Sequence, residues 1–72
     1  MYKIYGHFVD EPDRVTVWTA PVDTIEEAKV FAIGRLSKHF QWHGVTLEQS
    51  FPTTYTVKHY HVDIGFLDIK PV

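Results

Sequence analysis

His59-Tyr60-His61-Val62-Asp63 is the segment whose residue types could do the most chemistry. On one strand, an H-x-H-x-D spacing puts both imidazoles and the carboxylate on one side, with the imidazoles close enough to chelate a metal ion. His39 and His43, four apart on a helix, would share a face and form a second chelating pair. Five histidines among 72 residues also produce such pairs by chance. The expectation is therefore no metal and no cofactor, with His-based metal binding kept as an alternative.

The same spacing occurs in the metallo-β-lactamase fold, but that fold needs a far longer chain and further ligands. Other catalytic sets fare worse. There is no cysteine, and Ser37 and Ser50 lack the flanking glycines of a strained elbow. Neither G-x-G-x-x-G nor a P-loop occurs. Glu26 and Glu27 belong to a helix start, and Asp10 and Glu11 to a turn. A chain this short has little room for a water-excluding pocket. The reading is a non-enzyme.

The element that must position everything else runs from Asp23 to His43. Thr24 and Glu27 have the spacing of a capping box, as do Asp23 and Glu26. Ile25, Ala28, Phe31, Ala32, Leu36 and Phe40 recur at three- and four-residue steps and form one apolar stripe. Gly44 suits the C′ position beyond the last turn. Gly34 lies off the stripe with no packing reason.

On either side the period is two. Tyr2–Val9 and Arg14–Ala20 read as a hairpin closed by Asp10-Glu11-Pro12-Asp13, with Gly6 marking a bulge or a close approach by the helix. Val45, Leu47 and Gln49 alternate with Thr46, Glu48 and Ser50, and Phe51–Thr54 reads as a turn. From Tyr55 to Ile69 the apolar phase slips at Gly65, which calls for a bulge or a break into two strands. Residues 1–72 thus form one α+β domain, a two-layer sandwich of a mostly antiparallel four- or five-stranded sheet under one helix, in the order β-β-α-β-β(-β).

One helix covers one side of a sheet and leaves the other open. With Ile4, Val15, Val17, Leu47 and Val62 facing the helix, the open side would show Tyr5, His7, Trp18, Glu48, His59 and His61. Aromatic rings in a polar setting are common interface anchors. The leading reading is a small protein-interaction module binding a larger host protein, of the kind phages and mobile elements use as inhibitors, anti-CRISPR proteins among them. Single-stranded nucleic acid stacking on Tyr5 and Trp18 is the alternative. The net charge of −2 and the lack of a basic block count against it. Self-association through a sheet edge is a third reading. With no cysteine, no membrane-length apolar run and no signal-peptide pattern at Met1-Tyr2-Lys3, the expected location is the cytoplasm.

Overall fold

The computed structural model describes residues 1–39, 41 and 43–72, with His39 described by its backbone only. The elements are β1 (Tyr2–Phe8), β2 (Glu11–Ala20), α1 (Ile25–His39), β3 (Val45–Gln49), β4 (Thr54–His59) and β5 (Val62–Pro71). The strands form one sheet in the order β2-β1-β5-β4-β3, and each neighbouring pair is antiparallel. The helix carries the chain from one edge strand to the other, across one face of the sheet. This is the two-layer α+β sandwich that the periodicities require.

Thr24 is the helix cap. The Glu27 N–H donates to its Oγ1 at 3.2 Å, and the Thr24 hydroxyl donates to Glu27 Oε1 at 3.0 Å. The Ala28 N–H reaches the Thr24 carbonyl at 3.0 Å, as the first helical turn requires. Thr24→Ala is expected to cost about 1 kcal/mol of stability, measured as a lower denaturant midpoint with an unchanged slope.

Ala28, Ala32 and Leu36, at four-residue steps, are buried against the sheet, while Ile25 and Phe31 pack at the margin of the core. The helix ends at His39, not His43. Gln41 takes a left-handed φ of 56°, and Gly44, at φ 71°, leads into β3 instead of capping the helix. The expected place of Phe40 on the stripe lies outside the described residues.

The sheet's inner face is set by cross-strand partners, which share a side. Ile4 opposes Ile69 on one flank and Trp18 on the other, while Leu67 opposes Tyr55 and Val57 opposes Leu47. Phe8, Ala20 and Val45 complete the buried set from the sheet. Gly6 is a close approach, but to the Phe8 ring and not to the helix. A Cβ there would stand 2.9 Å from Phe8 Cε2.

The register corrects one expectation and resolves a second. First, β2 presents its other face. Tyr5 opposes Val17 and His7 opposes Val15, so both valines point away from the helix, while Trp18 and Thr16 point toward it. The turn is at Val9-Asp10, and the pairing jumps from His7–Val15 to Phe8–Glu11. Residues 12–14 fall in that gap, where Pro12 has no N–H to give a ladder. Counting from a turn centred on Pro12 therefore loses the phase.

Second, Tyr55–Ile69 is two strands and also carries a bulge. Tyr60 and His61 both adopt positive φ, 50° and 69°, the signs of a type I′ hairpin turn. Beyond it, Val57 pairs with Gly65 but Lys58 pairs with Asp63, leaving Ile64 as the extra residue. Gly65 is required by contact: a Cβ there would run into the His7 carbonyl oxygen and lie 2.8 Å from Phe8 Cδ1.

Candidate functional site

The face away from the helix is built in rows across the strands. Val17, Tyr5, Asp68 and Thr54 form one row, and Val15, His7, Phe66, Thr56 and Glu48 the next. Thr19, Lys3 and Lys70 border them on one side. Lys58, flanked by Asp63 and Thr46, borders them on the other. Val15, Val17 and Phe66 remain about half exposed, at 50%, 49% and 42%. Phe51, on the loop after β3, is 68% exposed. The His7 and Phe66 rings stack, centroids 4.6 Å apart and planes 16° from parallel. Lys70 holds its ammonium 5.9 Å from the Tyr5 ring centroid. Apolar and aromatic side chains thus run from β2 through β1 to Phe66 of β5, with Asp68, Thr54, Thr56 and Glu48 beside and beyond them.

Electrostatics at the border centre on Lys58. Its Nζ lies 3.2 Å from Glu48 and 3.6 Å from Asp63. The hydrogen bond to Glu48, the charge of Glu48 and the charge of Asp63 hold its pKa above the ordinary 10.5. A raised folded-state pKa stabilises the fold fully below the unfolded value and loses that contribution as pH climbs through the folded one. Lys58→Met is expected to remove this part of the alkaline loss of stability above pH 10.5, read by melting temperature against pH beside the parent protein. An identical alkaline limb in both would mean the three charges do not interact in solution.

Of the expected site residues, Tyr5, His7 and Glu48 share the open face, the last two in one row. Trp18 does not. As the partner of Ile4 it lies on the helix side, half-buried against the core, so it forms no stacking platform with Tyr5. His59 opposes Val45 and Val62 at the end of β4, its ring centroid 4.6 Å from that of Tyr60. His61 is exposed within the turn. The turn therefore divides H-x-H-x-D between two strands, and Asp63 is drawn to Lys58. Among the described residues no group of three or more His, Cys, Asp or Glu side chains converges. The side chain of His39, half of the second pair, is not among those described.

Sequence reasoning missed Val15, Val17, Phe51, Phe66 and Asp68. Phe66 and Asp68 were within reach, because the phase slip at Gly65 puts Leu67 and Ile69 inside and so Phe66, Asp68 and Lys70 outside. Of the hollows among the described residues, two bear on the helix flank and the sheet face. One, of ≈ 470 Å³, lies against the helix between Val22, Glu26, Glu27, Val30 and Phe31. Its carboxylates are engaged, Glu27 with Thr24 and Glu26 with Lys29. The other, of ≈ 410 Å³, opens on the sheet face between Ser50, Phe51, Thr54, Thr56, Phe66 and Asp68. Among the described residues no helix is long and apolar enough to cross a membrane. Comparison with protein families, curated proteins and solved structures finds no match for this chain.

Proposed function

We propose that the open sheet face is a protein-docking surface and that the chain is a small, non-enzymatic interaction module for a larger host protein. The observation that carries this reading is the apolar band of Val15, Val17, Phe66 and Phe51 beside Tyr5 and His7. Scattered exposed apolar residues need no explanation, but a contiguous patch rimmed by polar groups is characteristic of an interaction site. Its make-up, rings and aliphatics with a few charges among and around them, is compatible with the anatomy of protein interfaces. The finer reading, a cytoplasmic phage or mobile-element inhibitor of the anti-CRISPR kind, rests on chain size and composition.

The test uses two variants on the band, Val17→Glu and Phe66→Ser, and one on the helix flank, Val30→Glu. Binding to a partner captured from the host is expected to fall at least about tenfold for the first two, as at central interface positions. The flank variant should bind like the parent protein. Retained binding by both band variants, with their folds intact, would move the interface elsewhere. Single-stranded oligonucleotides are the control: binding that weakens steeply with salt would favour nucleic acid as the ligand. Mixed charges on this face, Lys3, Lys58 and Lys70 among Glu48, Asp63 and Asp68, supply no basic groove for it.

A further inference from the structure

We infer that the hollow between Phe51, Phe66 and Asp68 receives an arginine side chain of the protein partner. This rests on the docking reading above and names the chemistry of its central contact. The first argument is charge. The Thr54 hydroxyl donates to Asp68 Oδ1 at 2.6 Å in a part-buried setting, which fixes the carboxylate and leaves its second oxygen as an acceptor. Ion pairs among the described residues join Arg14 to Glu11, Lys29 to Glu26, and Lys58 to Glu48 and Asp63, and none of these four involves Asp68. Lys70, two residues on, is turned over the Tyr5 ring. A carboxylate oriented by Thr54, half withdrawn from water and taking part in none of those four ion pairs, favours a cation.

The second argument is shape. Phe51 and Phe66 line the hollow and are both exposed, so they offer ring surface to whatever enters. A guanidinium is planar and weakly hydrated, stacks on aromatic faces, and presents a fork of N–H donors to a carboxylate. A lysine ammonium is a compact, strongly hydrated charge and gains less between rings. Of the remaining hydroxyls, Ser50 Oγ and Thr56 Oγ1 bond each other at 2.5 Å, which uses one of their two protons. At ≈ 410 Å³ the hollow has room for the aliphatic stem as well as the head. It opens on the same face as Val15 and Val17, so an arginine seated here would sit beside a partner's apolar contacts.

The experiment is a titration of the isotope-labelled protein with N-acetyl-arginine amide, followed by amide chemical shifts. N-acetyl-citrulline amide, of the same shape but uncharged, and N-acetyl-lysine amide are run in parallel. Weak saturable shifts clustered on Phe51, Thr54, Phe66 and Asp68 are expected with arginine, smaller ones with lysine and none with citrulline. Asp68→Asn should abolish the response, while its amide oxygen can still accept the Thr54 hydroxyl and keep the fold. Equal shifts with citrulline, shifts scattered over the surface, or an unaltered titration by Asp68→Asn would each overturn the assignment. The captured partner separates this inference from its parent, with Asp68→Asn expected to weaken capture at least about tenfold. If Val17→Glu loses the partner while Asp68→Asn keeps it, the arginine site falls and the docking face stands. If both keep it, both fall.

Discussion

Leu36→Ala is expected to lower the free energy of unfolding by about 2–4 kcal/mol, the usual cost of a cavity left by a fully buried leucine. Leu36 has no exposed surface and is the largest helix side chain in the core, since the other two fully buried helix positions are Ala28 and Ala32. A domain of 72 residues has a thin core and correspondingly little stability to lose, so most of the population should unfold under mild denaturant. The check is equilibrium denaturation followed by circular dichroism. A change below about 0.5 kcal/mol, the scale of surface substitutions, would mean that this helix face is not the one against the sheet.

Trp18→Ala comes next, with an expected cost of about 2–3 kcal/mol, below that of a fully buried ring because Trp18 keeps part of its surface in water. The ring stands opposite Ile4 on the helix side of an edge strand and packs on the core from there. Binding by the folded fraction should be unchanged, since the proposed docking face is on the other side of the sheet. Val17→Glu should do the reverse, with little loss of stability and a large loss of partner. These neighbours in sequence thus separate folding from binding. The opposite result, a stable Trp18→Ala protein that no longer binds, would turn β2 over and return Trp18 to the interface.

That contrast also shows where the sequence was readable. The helix was legible because its cap, its stripe and its charge pattern agree, and Thr24, Glu27, Ala28, Ala32 and Leu36 take the places the spacing assigns. Strand β3 was legible because simple alternation is undisturbed there. β2 was not. On a sheet edge an aliphatic row and an aromatic row can each face inward, and the register gap at residues 12–14 removes the phase that would decide between them. The Tyr60-His61 turn was hidden for another reason. It uses two residues with side chains at positive φ, where asparagine and glycine are the usual signal. Missing that turn kept His59, His61 and Asp63 on one strand and made a ligand set out of residues that the fold separates. Of the six residues expected at the site, only Tyr5, His7 and Glu48 therefore lie on strands facing away from the helix.

The position of β5 has a consequence for how the sheet comes together in time. Three of its four ladders join strands that follow one another in the chain, and such hairpins close within microseconds. The fourth, between β1 and β5, pairs Tyr2 with Pro71 and Ile4 with Ile69, so it must await residues synthesised long after β1. Until then the growing chain carries a β1–β2 ribbon with one flank of β1 unpaired, an edge open to any strand of matching pattern. Loop closure over that distance is expected to make this seam form more slowly than the three local hairpins. It is also where exchange between copies would begin, because the β5 of a neighbouring chain fits the same slot before the chain's own strand arrives.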